Sequence, residues 1–225
     1  MFQTGRLIEI PAEFLQSFTL AYDALVREED RAFYGVRYGE YGAAVYHAPP
    51  EKGMTVLDVG CGENYFILYA AASGATVRGI DDGSFRALYP AWRKTLDAYH
   101  VFQEGRIEIV DGNAASLPYA DAFFDVVYTF SALEHFIGGD DIRCVHEVYR
   151  VLKPGGLFVG TVDFNHATTR PTPVTYPMCR AYTFDGFLEM VLPAGFELTG
   201  PALIDCPVEH YLSQAGFFVL RPRFK

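Results

Sequence analysis

The sequence predicts an α/β protein with a doubly wound, mostly parallel seven-stranded sheet, helices on both faces and an N-terminal helical cap. Short apolar runs alternate with amphipathic segments from Met54 onward, a pattern typical of buried parallel strands covered by helices. Two further strand-like runs follow the last of these segments. The 225 residues, half of them hydrophobic, suffice for one such domain with a modest cap.

Residues 1–50 are predicted to form the cap, and Pro49-Pro50 marks its boundary with a domain of residues 51–225. Residues 33–46 interleave tyrosines with glycines, which loosen a helix by about 1 kcal/mol each relative to alanine and suit a mobile cover over a substrate. The alternative is that these tyrosines pack permanently on the sheet edge. The preceding segment carries apolar residues at helical spacing: Phe14, Leu15, Phe18, Tyr22 and Leu25.

The elements of the domain are expected in alternating order, and a Pro/Thr-rich loop at 168–177 separates the last helix from the first five strands. The predicted strands are 55–59, 76–80, 107–110, 125–129, 157–162, 196–204 and 216–220. The predicted helices are 64–72, 85–99, 142–152 and 184–192.

Composition and charge narrow the class of partner. The formal net charge of −10 and the pI near 5.0 argue against duplex nucleic acid or an anionic membrane, because both attract a basic surface. No signal peptide and no run of about eighteen apolar residues is evident. The four cysteines are scattered without metal-ligand spacing, which indicates reduced thiols. We therefore expect a cytoplasmic protein with a small-molecule partner and an oligomeric state that the sequence leaves open.

The sharpest local signal is TVLDVGCGEN at residues 55–64, where a buried strand leads into a glycine-containing turn and a helix. Glycines let a ligand approach the backbone, and the helix N-terminus offers free N–H groups and a positive dipole end. The turn is not the GxGxxG of dinucleotide binders, because Tyr65 occupies the position of the third glycine. A purely structural turn is the alternative interpretation.

Asp81, at the end of the next predicted strand, is the second signal. An acidic side chain at the carboxyl tip of the second strand can accept hydrogen bonds from both hydroxyls of a ribose. The alternative is a solvated turn in which Asp82 or Ser84 caps the following helix.

Further motifs follow the later strands in order. Asp111-Gly112-Asn113-Ala114 comes after the third strand, SALEHF at 131–136 after the fourth, and LKPGGLF at 152–158 leads into the fifth. In order and spacing, these motifs resemble the class I S-adenosylmethionine-dependent methyltransferases, which have a Rossmann-like fold, and especially the group acting on small molecules. The resemblance is dense over residues 54–162 and weaker over 182–220, where AGF at 194–196 resembles a late turn of the family.

The resemblance implies S-adenosylmethionine as cofactor and a role for particular residues. Asp58, Gly60 and Gly62 would form the turn that holds the methionine part, with Asp58 shaping it. Asp81 would hold the ribose hydroxyls. The other implied contacts are Asn113 and the backbone of Ala114 at the adenine edge, and Phe130 and Ser131 at the pocket wall.

Three positions depart from the family pattern. Asn64 stands where a third glycine is usual, so the turn must avoid positive φ there or use the tolerance of asparagine for it. Asp82 replaces an apolar residue that packs on the adenine. Asn113 replaces the common aspartate, and its amide oxygen can still accept from an exocyclic amine.

Two histidines are candidate catalytic residues. His135 follows the fourth strand beside Glu134, and it either contacts the substrate as a base or braces its loop. His166, just past the fifth strand, is the second candidate. No metal site is expected, because the fourth strand ends in Tyr128-Thr129-Phe130 without a carboxylate.

The sequence therefore predicts methyl transfer from S-adenosylmethionine to a hydroxyl, amine or carboxyl group of a small molecule by in-line displacement. One alternative is a non-catalytic binding protein that retains this fold. A nicotinamide-dependent dehydrogenase is disfavoured by the glycine pattern.

Overall fold

The computed structural model describes residues 10–26, 28, 31, 37–62, 64–83, 105–164, 181–206 and 214–224. Its strands are β1 (Thr55–Val59), β2 (Thr76–Asp81), β3 (Ile107–Asp111), β4 (Phe124–Phe130), β5 (Leu152–Phe164), β6 (Phe196–Cys206) and β7 (Gln214–Pro222). They form one seven-stranded sheet in the order β3-β2-β1-β4-β5-β7-β6. The pairs from β3 to β5 are parallel, whereas β7 runs antiparallel to both β5 and β6. The predicted mostly parallel, seven-stranded architecture is confirmed.

The helices with described bounds are α1 (Ala12–Asp23), α2 (Tyr38–His47), α3 (Phe66–Ala72), α4 (Asp140–Val151) and α5 (Phe184–Val191). A short 3-10 helix, Leu133–His135, follows β4. Helix α2 ends just before Pro49-Pro50, as proline requires. The helix predicted over 85–99 and the loop predicted over 168–177 lie outside the described residues.

Several element boundaries differ from the sequence prediction by one or more residues, and two of the differences have identifiable local reasons. Helix α3 begins at Phe66 rather than at 64, because the Asn64 side chain accepts the backbone N–H of Ile67 and so caps the first turn. Strand β5 begins at Leu152 rather than at 157, because Leu152 already pairs with Phe124 before a shift in register. Residues 153–156, which the prediction left between the helix and the fifth strand, therefore lie in an irregular first part of β5.

The core lies on both faces of the sheet. Successive residues of β1 point to opposite sides, so that Val56 packs in one cluster and Leu57 in the other. Helices α1, α2 and α3 cover the first face, and α4 and α5 cover the second. The result is the three-layer arrangement expected for a parallel sheet.

The two N-terminal helices are part of this core. Phe18 and Tyr22 of α1 are buried, and Tyr41 of α2 contacts Phe130 at the end of β4 with ring centroids 4.7 Å apart. The Tyr128 hydroxyl donates to the carbonyl oxygen of Ala48 over 2.5 Å. For the described part of the tyrosine-rich stretch, this burial agrees with the alternative of permanent packing.

Candidate cofactor and acceptor site

The carboxyl ends of β1 and β4 meet where the strand order of the sheet reverses, since β2 and β3 lie on one side of β1 and β4 on the other. Doubly wound sheets bind their ligands in the crevice at this point. Gly60 follows β1 with φ +65°, and a Cβ there would lie only 2.5 Å from Ala132 Cβ. Glycine therefore lets the turn after β1 contact the segment after β4.

Asp81 is held rigidly at the tip of β2 by two backbone amides. Gly62 N–H donates to Asp81 Oδ2 over 2.9 Å, and Gly83 N–H donates to Oδ1 over 2.7 Å. A carboxylate has about four acceptor positions, so hydroxyl groups can still bind to it. Gly62 has φ +46°, a conformation that residues with a side chain rarely adopt, and a Cβ there would make an ordinary contact with Asp81 Oδ2 at 4.0 Å.

Asp58 is buried beneath the same turn and is braced by Asn64. The Asn64 amide donates to Asp58 Oδ2 over 2.9 Å and to the carbonyl oxygen of Cys61 over 2.8 Å. Asn64 is not one of the two described non-glycine residues with positive φ, which are Ala122 and Ser131. The turn therefore avoids the left-handed conformation at this position and is stabilised by a side chain instead.

The electrostatics of Asp58 set it apart from an ordinary carboxylate. Burial raises its pKa to about 7, with a smaller rise from the charge of Asp81, while the hydrogen bond from Asn64 opposes the increase. Asp58 Oδ1 is buried and has no hydrogen-bond partner among the described residues. A buried acceptor without a partner is costly, so a ligand group that donates to Asp58 Oδ1 would stabilise the turn.

The residues implied at the adenine edge lie beyond β3. Asn113 is exposed, and its side-chain oxygen accepts the N–H of Ala115 over 2.8 Å, which forms a local turn. Ala114 is buried. Asp82 is exposed one position after Asp81. The roles of these residues toward adenine stay predictions.

Phe130 and Ser131 end β4 in different environments. Phe130 is buried among aromatic rings, including Phe66 at 4.8 Å between centroids. Ser131 has φ +48°, an unusual conformation for a residue with a side chain, and its N–H donates to Thr161 O over 3.0 Å. Backbone strain of this kind is concentrated at functional sites.

The candidate catalytic residues lie just after β4. His135 is half-buried at the end of the 3-10 helix. Its neighbour Glu134 is buried, and burial together with the charge of Asp163 raises the Glu134 pKa well above its ordinary value. Glu134 Oε1 accepts the N–H of Asp163 over 3.2 Å. His166 lies outside the described residues.

Sequence reasoning missed Glu40, a buried carboxylate that α2 brings to the ends of β4 and β5. Its Oε2 accepts from Thr161 Oγ1 over 2.6 Å, from Arg37 Nη1 over 3.3 Å and from Ser131 Oγ over 3.5 Å. The sequence feature that could have indicated this residue is that Glu40 is the single acid in the otherwise uncharged run 38–46. Only the packing of α2 shows where that acid lies.

Comparisons with known proteins agree with this geometry. A family model described as a methyltransferase domain matches residues 57–160. An uncharacterized methyltransferase of Synechocystis sp. is 34% identical over 171 residues, covering 75% of this chain and 69% of that protein. The 2-phytyl-1,4-beta-naphthoquinone methyltransferase of Arabidopsis thaliana is 33% identical over 132 residues, covering 57% of this chain and 49% of the plant protein. This chain spans about half the length of several such curated relatives.

A solved structure shares the fold. The 1,6-didemethyltoxoflavin-N1-methyltransferase of Burkholderia thailandensis, with bound 1,6-didemethyltoxoflavin and S-adenosylhomocysteine, has a TM-score of 0.65 and 17% sequence identity. The similarity covers 96% of this chain and 91% of that one. This similarity shows the fold, and the sequence relatives define the class of protein. The chain belongs to the class I S-adenosylmethionine-dependent methyltransferases.

Family membership makes S-adenosylmethionine the cofactor, and the residues present fit it. The Asp81 carboxylate, held by the backbone amides of Gly62 and Gly83, suits a ribose with two hydroxyl donors. The unpartnered Asp58 Oδ1 suits the positively charged methionine part. These contacts, like the full set of implied binding residues, are proposals for this chain.

Two features are absent from the described residues. No group of three or more His, Cys, Asp or Glu side chains there could hold a metal ion. None of the helices in that part of the chain combines the length and hydropathy needed to cross a membrane.

Proposed function

We propose that this protein transfers a methyl group from S-adenosylmethionine to a hydroxyl, amine or carboxyl group of a small molecule in the cytoplasm. The observation that carries the proposal is the pairing of Gly62 N–H with Asp81 at the reversal point of the sheet, in a chain of this family. The names of the Arabidopsis and Burkholderia proteins, which specify small-molecule acceptors, support the same class of substrate.

The reaction requires the protein mainly to bind the methyl donor and the methyl acceptor and to align them. S-adenosylmethionine supplies a methyl group on a positively charged sulfur. Asp81 and the turn at Gly60 and Gly62 would orient that group toward the space over β4 and β5. There the acceptor forms a bond to the methyl carbon while the carbon–sulfur bond breaks, its electrons stay on sulfur, and a protonated nucleophile releases its proton.

The proposal includes a division of the chain into two parts. Residues 51–225 would form the cofactor-binding domain, and residues 1–50 would form the cap that limits access to the acceptor space. Helix α2 supports this division, because it ends at His47 and places Glu40 against the ends of β4 and β5.

Incubation of the protein with a metabolite extract and S-adenosylmethionine carrying an isotope-labelled methyl group tests the proposal. We expect label in one or a few small molecules, together with S-adenosylhomocysteine. The Asp81→Ala variant, prepared alongside, should transfer much less label at the same cofactor concentration.

The second candidate is a non-catalytic binding protein that retains the fold, and the departures at Asn64, Asp82 and Asn113 motivate it. Cofactor binding without labelled product or any S-adenosylhomocysteine would favour that candidate. The nicotinamide alternative has no support in the family to which the chain belongs.

A further inference from the structure

Glu40 is a buried carboxylate, and removing a charged group from water is energetically unfavourable. It is 2% exposed, although it belongs to a helix whose neighbouring residues are largely apolar. Burying a carboxylate costs several kcal/mol, and a well-packed apolar residue of similar volume is often no less stable. A purely structural purpose therefore does not explain why α2 presents a carboxylate here.

The partners of Glu40 place it beside the reaction site. Ser131 follows β4 in a strained conformation, and Thr161 pairs with Phe130 on the neighbouring strand β5. Both side chains donate to Glu40 Oε2, at 3.5 and 2.6 Å. Of the proposed cofactor contacts, Asp58 and Asp81 lie on β1 and β2, Gly62 lies in the turn after β1, and Phe130 and Ser131 form the wall at the end of β4. Glu40, bonded to Ser131 and Thr161, lies at that wall on the side of β5.

Glu40 keeps the capacity to accept a further hydrogen bond. Its Oε1 contacts Arg37 Nη1 at 3.5 Å, the outer limit for a hydrogen bond. Glu134 is the other buried acid at this edge, and burial together with the charge of Asp163 raises its pKa. Glu134 accepts from the Asp163 N–H and lies near the Asp163 charge, whereas the described partners of Glu40 are the hydroxyls of Thr161 and Ser131 and the guanidinium of Arg37.

We propose that Glu40 lines the acceptor side of the methyl-transfer position and receives the proton of the acceptor's nucleophile. This inference rests on the proposed function and narrows it. The acceptor is then a hydroxyl or amine, which carries a proton, rather than a carboxylate, which Glu40 would repel. As the nucleophile bonds to the methyl carbon and the carbon–sulfur bond breaks, the nucleophile's proton passes to Glu40, and charge and atoms balance.

Ligand binding tests this without a known acceptor. In the S-adenosylmethionine analogue sinefungin, a carbon bearing an ammonium group replaces the methylated sulfur. S-adenosylhomocysteine keeps the sulfur, but the sulfur carries neither a methyl nor an ammonium group. Calorimetry should show that wild-type protein prefers sinefungin. Glu40→Gln should reduce that preference about tenfold, because it removes a charge-assisted contact, and should leave S-adenosylhomocysteine affinity close to wild type. The exposed residue Glu13 of α1 provides a matched control, Glu13→Gln, which should change neither affinity.

The outcomes separate the two proposals. Equal loss of affinity for both ligands in Glu40→Gln would show that Glu40 only supports the fold, and an unchanged preference would show that it is remote; either result overturns the inference alone. Failure of wild-type protein to bind any of the adenosyl ligands overturns the proposed function as well. If Glu40→Gln does not fold, Glu40→Asp, which withdraws the charge by one methylene, should lower the preference, and an unchanged preference there overturns the inference.

Discussion

The amide of Asn64 joins two parts of the turn after β1, donating to Asp58 Oδ2 over 2.9 Å and to Cys61 O over 2.8 Å. Its oxygen accepts from Ile67 N at the start of α3. Where the family pattern has a flexible glycine, this chain therefore has a side chain that braces the turn, the buried acid and the helix together.

Replacing Asn64 should destabilise both the fold and the turn. Asn64→Ala leaves Asp58 without its described donor, so we expect the free energy of unfolding to fall by about 1–3 kcal/mol and cofactor affinity to weaken. Urea denaturation and calorimetry measure the two effects. Gln16→Ala, an amide removal on the exposed face of α1, should change neither quantity. Wild-type stability in Asn64→Ala would show that the brace is dispensable.

Asp81→Ala should weaken S-adenosylmethionine binding about ten- to a hundredfold, because charge-assisted hydrogen bonds to the ribose are lost. Calorimetric titration at fixed ionic strength measures the change. The exposed Asp185 of α5 offers a control of equal charge, and Asp185→Ala should bind like wild type. Unchanged affinity in a folded Asp81→Ala protein would remove the ribose assignment.

Asp58 should make stability depend on pH. The folded-state pKa of about 7 lies above the ordinary 3.8, so the folded protein keeps a proton that the unfolded chain releases. The stabilising contribution of protonated Asp58 should therefore be fully present below about pH 4. It should decrease as the pH rises to about 7, with little further change above. Asp58→Asn should flatten this part of the profile, as measured by thermal or urea unfolding across the range. An identical slope in the variant would assign the dependence to other groups.

Tyr41 should contribute strongly to stability. Its ring is buried against Phe66 and Phe130, so Tyr41→Ala should lower the free energy of unfolding by about 3 kcal/mol or more. Tyr46, on the same helix but 42% exposed, supplies the control, and Tyr46→Ala should cost much less. Equal, small effects of the two substitutions would favour a loosely attached cap, which hydrogen exchange of α2 with and without cofactor would also detect.

No metal requirement is expected for cofactor binding or turnover. Strand β4 ends in Tyr128-Thr129-Phe130, and the described residues hold no candidate metal cluster. Treatment with a chelator should leave S-adenosylmethionine affinity unchanged, and turnover too once an acceptor is identified. Activity lost with chelator and restored by magnesium would contradict this expectation.

The sequence by itself determined the sheet and the positions of the residues that are proposed to hold the cofactor. Buried strands are short apolar runs, and the residues after β1 and β2 are contiguous with them, so Asp58, Gly60, Gly62 and Asp81 could be placed from strand order alone. The strand at 55–59 was predicted to the residue because the turn chemistry begins immediately after it. The first residue of α3 depends on a side-chain cap, and the first residue of β5 depends on strand pairing. The sequence therefore did not predict these two boundaries.

Only the tertiary structure shows the surroundings of Glu40, the residue proposed for the acceptor side. The contact of Glu40 with Thr161 spans 121 positions of the chain, and no local pattern specifies which face of α2 meets the sheet. The burial of Tyr41 likewise depends on Phe66 and Phe130, which come from two other elements. Cofactor contacts follow from short-range strand–turn–helix geometry, whereas the surroundings of the acceptor depend on how a distant helix packs across the strand ends.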